Sequence, residues 1–214
     1  MRITIFGASG RTGHHVVDQA LAAGHHVTAI VRNTGSFADE TTAPGQLSIA
    51  AADVMNPPNI TPYIEGADAV VSTLGARGFP MRATTVCSDA MGSIIDAMSA
   101  AGVRRLIAMS AVDFGNAKGD GVLMRRIARP LVLGFLRGSL RDLRMMEGKM
   151  VASRLEWTVV RAPQLLNQAR GHYRVAFDNH LPGAVFARRA DVADCIVQQL
   201  ENPVTFRQFV TVAR

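Results

Sequence analysis

Cysteine, lysine, tyrosine and tryptophan are all scarce in this chain, and each scarcity narrows what it can be. Cys87 and Cys195 are its only cysteines; they lie far apart and fit no metal-ligand or redox spacing. A disulfide framework is excluded, and a reduced, cytosolic setting is expected. No apolar run reaches the ~18 residues of a membrane span, so stable membrane insertion is not expected. The start, Met1-Arg2-Ile3-Thr4-Ile5-Phe6, is strand-like. It lacks the basic opening, apolar core and cleavage site of a signal peptide, and the expected location is cytoplasmic. The rest is an ordinary globular mixture, 48% hydrophobic and 19% charged over 214 residues. That length suits one domain burying ~70% of its unfolded surface.

Lysine's near absence shapes the charge. Of 23 basic residues only Lys118 and Lys149 are lysines; the other 21 are arginines, against 17 acids, for a net charge of +6. Arg125, Arg126, Arg129, Arg137, Arg141 and Arg144 fall between Gly121 and Arg144, opposed there only by Asp142, so this segment carries +5 of the total. With Phe114 and Phe135 as the only aromatics of Phe114–Gly138, this basic stretch is a poor stacking platform, and nucleic acid is not an expected partner. Six glycines and prolines interrupt Phe114–Gly138. Pro130 is expected to separate two short helices, and Ser139, three residues before Asp142, resembles a capping box opening the next helix, to about Ser153. The segment reads as a lid or substrate wall over a ligand crevice. The alternatives are a docking surface at 121–144 for a protein partner or an anionic membrane, and a merely solvated face.

Elsewhere, strand-length apolar runs alternate with helical patterns. Arg2–Phe6, His26–Val31, Leu47–Ala51, Ala69–Leu74, Arg105–Ser110 and Trp157–Val160 read as strands, and Gln208–Val212 as a late one. Val16, Val17, Ala20 and Leu21 share one face of a helix ended by Gly24; further helices are expected over about Ala83–Ala101 and over Asp191–Leu200. No repeat or linker divides the chain. Strands this apolar between helices imply a Rossmann-like, doubly wound α/β fold with a parallel sheet, one domain spanning 1–214.

Gly7-Ala8-Ser9-Gly10-Arg11-Thr12-Gly13 follows the first strand and opens the first helix. Gly7 permits a tight turn, Gly10 lets the backbone approach a pyrophosphate, and Gly13 lets helix and strand pack closely. Free N–H groups and the positive helix end then face the phosphates. Gly7, Ser9, Gly10, Arg11, Thr12 and Gly13 are the candidate phosphate cradle. The Gly-x-x-Gly-x-x-Gly spacing is similar to that of extended and atypical short-chain dehydrogenases/reductases. The chain resembles their small NAD(P)H-binding branch, which includes NmrA-like proteins and the biliverdin-IXβ reductase/flavin reductase group. Val31-Arg32-Asn33, Asp53-Val54, Leu74-Gly75-Ala76-Arg77 and Ala108-Met109-Ser110-Ala111 extend the likeness. Leu155–Pro163 and Arg189-Ala190-Asp191-Val192-Ala193 complete it.

An NAD-binding unit places an acid about twenty residues beyond the glycines. This chain has Arg32 there, 19 residues after Gly13. A guanidinium binds a 2′-phosphate that a carboxylate would repel, so the expected cofactor is NADP, with NADPH preferred over NADH. Arg11 offers a second positive group. The resemblance implies that Asp53 and Val54 flank the adenine and that Leu74, Gly75 and Arg77 follow the cofactor toward its nicotinamide. Ser110 and Pro163 would lie beside that ring. Asp53 suits the capping of the next turn equally well.

The Tyr-x-x-x-Lys pair that most short-chain dehydrogenases use for proton exchange is missing: Ala67 and Phe177 stand four residues after Tyr63 and Tyr173. Where the pair would fall stand Ser139 and Leu143. One reading is a reductase acting on a small, planar conjugated acceptor (a flavin, a quinone or a biliverdin-like tetrapyrrole) whose proton comes from solvent, with Ser110 as the candidate catalytic donor. The alternative is a non-catalytic NADP(H)-binding redox sensor of the NmrA-like type; an epimerase-like or tailoring activity is a third. His14-His15 and His25-His26 make no chelating face, because adjacent side chains diverge, and no metal is expected. His172 and Tyr173 are candidates for substrate contact from a late loop. Cys87 reads as a buried thiol, and Glu147 as a partner of a lid arginine or a solvent-facing acid.

Overall fold

The computed structural model describes residues 1–36, 45–75, 84–112, 129–178 and 181–214. In chain order the elements are β1 (Arg2–Phe6), α1 (Arg11–Ala22), β2 (His26–Val31), β3 (Leu47–Ala51), α2 (Pro57–Ile64), β4 (Ala69–Ser72), α3 (Val86–Ala101) and β5 (Arg105–Ala111). They continue with α4 (Arg129–Ala152), β6 (Glu156–Ala162), β7 (Gln164–Leu166), β8 (Arg174–Phe177), β9 (Phe186–Arg188), α5 (Arg189–Gln199) and β10 (Gln208–Ala213). Eight strands form one sheet in the order β3-β2-β1-β4-β5-β6-β10-β8, parallel except for β8, which runs antiparallel to β10 at the edge. β7 and β9 make a separate parallel pair.

The sheet positions a site through its strand order. From β1 the chain winds outward to β3, then returns to β4 on the other side of β1. This reversal leaves a crevice outside the carboxyl ends of β1 and β4, where their connections diverge. Alternation along each strand supplies a core for each face. Ile3 and Ile5 of β1 bury against Val16 and Val17 of α1 and Val192 and Ile196 of α5. Phe6 turns the other way, into a cluster with Ile60, Met91, Ile94, Met146 and Trp157. Helices α1 and α5 therefore cover one face, and α2, α3 and α4 the other.

Two expectations need correction, and one helix carries no signal in the sequence. Pro130 does not separate two helices among the described residues: α4 is continuous from Arg129 to Ala152, with Pro130 as its second residue. Proline is tolerated in a first turn because its missing N–H would have no intrahelical acceptor. Ser139 is accordingly interior to α4 and opens nothing. Of the expected lid, 114–128 lies outside the described residues, and 129–138 forms the first turns of α4. Finally, α2 carries Pro57, Pro58 and Pro62 and has no sequence signal as a helix; Pro57 and Pro58 occupy its first turn, and Ile60 and Ile64 bury completely. No helix among the described residues is long and apolar enough to cross a membrane.

Candidate functional site

The glycine turn is held by hydrogen bonds and by the absence of side chains. Gly7 has φ +81°, in the left-handed region that glycine enters freely. A Cβ there would stand 3.0 Å from Leu74 N and Thr73 C. Gly10 N donates to Gly7 O at 2.9 Å, closing the turn. Gly13 sits in the first turn of α1 against the strand end: a Cβ would collide with Gly7 O and stand 2.8 Å from Ala8 O. Only glycine lets the helix start so close to the strand. The first N–H groups of a helix have no intrahelical acceptor. At α1 no side chain caps them, and the first turn carries no acid.

Beside this turn lies a cleft of about 360 Å³. Gly7, Ser9, Gly10, Arg32, Asp53, Val54, Leu74 and Gly75, all expected from sequence, line it. Arg32, just past β2, is exposed and makes no hydrogen bond or ion pair among the described residues. Asp53 lines the cleft, and its Oδ1 accepts from Met55 N at 3.0 Å, the turn-capping role expected as the alternative to adenine contact. Thr73 was not foreseen. Its hydroxyl lies 3.3 Å from Phe6 O and 3.2 Å from Gly7 O, stitching the end of β4 to the glycine turn. A threonine ending an apolar strand carries no local signal of that contact. Thr12 and Gly13 are buried in α1, behind the turn. Arg77 lies outside the described residues.

Ser110 and Pro163 are off the cleft. Ser110, near the carboxyl end of β5, points with Leu106 and Ala108 toward α3 and α4, paired across the strands with Arg161 of β6. Its hydroxyl is buried and has no hydrogen-bond partner among the described residues. Pro163 is buried between β6 and β7. Glu147 is buried, and among the described residues it pairs with Arg161 of β6 and not with a lid arginine. It accepts from Arg161 Nε at 3.0 Å and Nη2 at 2.6 Å, while that guanidinium lies 3.8 Å over the Phe209 ring. Asp142 is fully buried and accepts from Cys87 N at 2.9 Å and Ser88 N at 2.8 Å, capping α3 from the neighbouring helix.

The tyrosine of the late loop is engaged within the protein. Tyr173 Oη donates to Asp194 Oδ2 at 2.7 Å. Burial first, and that hydrogen bond second, push the phenol far above its usual range, so it holds its proton. His172 is exposed. Cys87 is buried, as its setting suggested, and Cys195 is pushed up to about 12, chiefly by burial, so it is a packed thiol and not a nucleophile. No group of three or more His, Cys, Asp or Glu side chains that could hold a metal occurs among the described residues.

This cradle fits a dinucleotide: an uncapped helix start, a turn that admits no Cβ, and a cleft running from it past the ends of β2 and β3. A family model described as NAD(P)H-binding matches residues 7–203. The chain belongs to that NAD(P)H-binding family. Within the family's reach, a 3-diazoavenalumate denitrifying reductase of a Streptomyces species is 30% identical over 133 residues, 58% of this chain and 42% of that protein. The photosystem II assembly factor Ycf39 of Synechocystis is 27% identical over 113 residues, 51% of this chain and 33% of that protein. The chain thus spans less than half the length of these curated relatives. Among solved structures, a wide-type short-chain dehydrogenase/reductase from Veillonella parvula in complex with NADP shares the fold. Its TM-score is 0.78 at 19% identity, over 100% of this chain and 94% of that one.

Proposed function

We propose that this NAD(P)H-binding chain is an NADPH-dependent reductase of planar conjugated acceptors such as flavins, quinones or biliverdin-like tetrapyrroles. The observation that carries the cofactor preference is Arg32. Its guanidinium stands at the rim of the cleft, without a partner among the described residues, where an NAD-specific chain would place a carboxylate. Bound there, the reduced nicotinamide would supply the hydride.

The chain's own contribution is binding and orientation. The N–H groups at the start of α1 and the closed glycine turn receive the pyrophosphate, Asp53 and Val54 flank the adenine, and Leu74 and Gly75 direct the far half toward β5. Ser110 is the one buried hydroxyl among the described residues with no partner. We assign it to the cofactor's carboxamide or to the acceptor. Net reduction of the acceptor consumes one hydride and one proton, and α4 has no tyrosine to give that proton. Solvent supplies it, which suits acceptors whose conjugation spreads the incoming charge.

The test is anaerobic loss of NADPH absorbance with FMN, riboflavin, menadione and biliverdin, alongside binding of NADPH and NADH. Turnover above the protein-free rate is expected with at least one acceptor. Tight NADPH binding with no turnover on the whole panel would replace this reading with that of a redox sensor. For Arg32→Glu, the NADPH Kd should rise about 100-fold while the NADH Kd moves less than about threefold, since a charge-assisted contact to the 2′-phosphate becomes a repulsion. Equal changes for both cofactors would remove Arg32 from that role.

A further inference from the structure

β8 forms one edge of the sheet, and among the described residues no strand lies beyond it. It pairs with β10 in the register Val210↔Phe177, Thr211↔Ala176, Val212↔Val175 and Ala213↔Arg174. Asp178 N continues this ladder, donating to Phe209 O at 2.7 Å. Hydrogen-bonded and non-hydrogen-bonded pairs alternate along an antiparallel ladder. Arg174 and Ala176 therefore spend their main-chain groups on β10, and the N–H and C=O groups of Val175 and Phe177 point away from it. Among the described residues no hydrogen bond takes up these outward groups. Phe177 is 45% exposed, and Arg174 and Asp178 are exposed at the two ends of the strand.

An open edge is a template for another strand, and lysine or proline placed on it discourages such pairing. Arg174-Val175-Ala176-Phe177-Asp178 contains neither, and its two charges are of opposite sign. Turned about a two-fold axis through Ala176, this stretch is its own complement. Val175 then faces Phe177 of a second copy, and Arg174 faces the second copy's Asp178. The facing residues Val175 and Phe177 are the ones whose main-chain groups point outward, so this register satisfies every outward group. Both lie on the face of the sheet that α1 and α5 cover, where Val175 packs partly on the core, and the apolar side chains of the two copies form one strip. The charges are available as well. Arg174 Nη1 and Nη2 donate only to the carbonyls of Pro182 and Arg214, at 3.1 and 3.0 Å, and Asp178 Oδ1 accepts from Phe209 N at 2.8 Å. Neither has an ion pair among the described residues.

We propose that two copies of this chain pair through β8, antiparallel about Ala176, joining their two sheets into one continuous sheet. The contact is isologous, so it closes as a dimer and leaves no free β8 edge. None of the residues of β8 lines the cofactor cleft, and the pairing is independent of whether the chain reduces an acceptor.

Sedimentation and light scattering over about 1–200 μM protein should show the mass rising from that of one chain toward twice that value, as a micromolar Kd requires. Arg174→Glu sets carboxylates against each other at both ends of the paired strands and should weaken the dimer about tenfold or more. Asp178→Lys should do the same with cations, and mixing the two variants should restore a dimer, because every facing pair is then opposite in sign. Ala176→Cys tests the register with a small change of side chain. It puts two thiols on the axis at a Cα separation of about 4.5 Å, which a disulfide spans. Cys87 and Cys195 are buried, so mild oxidation should cross-link this variant through residue 176. Val175→Cys, which faces Phe177 and not itself, should cross-link at least about tenfold more slowly. A chain that stays monomeric over the whole range overturns the proposal. So does a dimer that resists Arg174→Glu and leaves the Ala176→Cys thiols free, since that dimer is built on another surface.

Discussion

The helices that follow β1 and β4 start at the same edge of the sheet, on either side of the switch point, and they meet opposite fates. At α3 the first N–H groups are all taken. Thr84 Oγ1 lies 3.3 Å from Val86 N, and the buried carboxyl of Asp142 receives Cys87 N and Ser88 N. Asp89 adds a further acid to that first turn. At α1 there is no capping side chain and no acid, and the approach is cleared by glycines. Both ends carry the same partial positive charge from the aligned peptide dipoles. A helix start becomes an anion site only where the protein has declined to satisfy it from within, and this chain does so at one of these two positions.

Changes at the two helix starts should separate these roles. The largest effect is expected from Gly13→Ala, whose Cβ has to push the start of α1 away from Gly7 O and Ala8 O. A cost of about 3 kcal/mol or more, seen as a melting temperature lower by ~6–12 °C, should accompany loss of detectable NADPH binding. Unchanged binding would mean that the close approach of α1 to β1 is not what forms the cradle.

Asp142→Ala tests the other helix. It strands two buried N–H groups and should cost about 2–3 kcal/mol, read by chemical denaturation. Asp142→Asn, with one carbonyl oxygen left to accept, should recover about half of that loss. Because the N–H groups at the start of α3 are already taken, NADPH affinity of the folded Asp142→Ala protein should change less than about threefold; a larger change would show that the two helix starts are not independent. The smallest effect is expected at Thr73→Val, which removes the hydroxyl joining β4 to the glycine turn. It should raise the NADPH Kd about fivefold, roughly 1 kcal/mol, with little change in stability. Thr73→Ser, which restores the donor, should return the wild-type value, and its failure to do so would assign the loss to packing.

The glycine turn, the strands around it and the arginine at the end of β2 were legible because their signals are local. Strand alternation, the 3.6-residue period of α1 and the glycine spacing each sit within a dozen residues, and each reports a backbone conformation that neighbours in sequence impose. Eight of the expected site residues accordingly meet at one cleft. What misled were features whose meaning depends on a distant partner. Pro130 has the same chemistry whether it breaks a helix or begins one. Asp142 resembled the end of a capping box at its own helix, and it caps α3, 55 residues away. Glu147 read as a partner of a lid arginine or a solvent-facing acid, and β6 brings Arg161 against it; Tyr173 read as a candidate for substrate contact, and α5 supplies Asp194 to its hydroxyl.

The amino-acid sequence by itself thus determined the βαβ unit, the position of its glycine turn and the sign of the charge beside it, because short-range sterics and periodicity set these. Only the tertiary structure decided which acids are spent on internal donors and which arginines remain for a ligand. A charged side chain is neutralised by whatever group packing brings within ~3–4 Å, and that group lies tens of residues away along the chain.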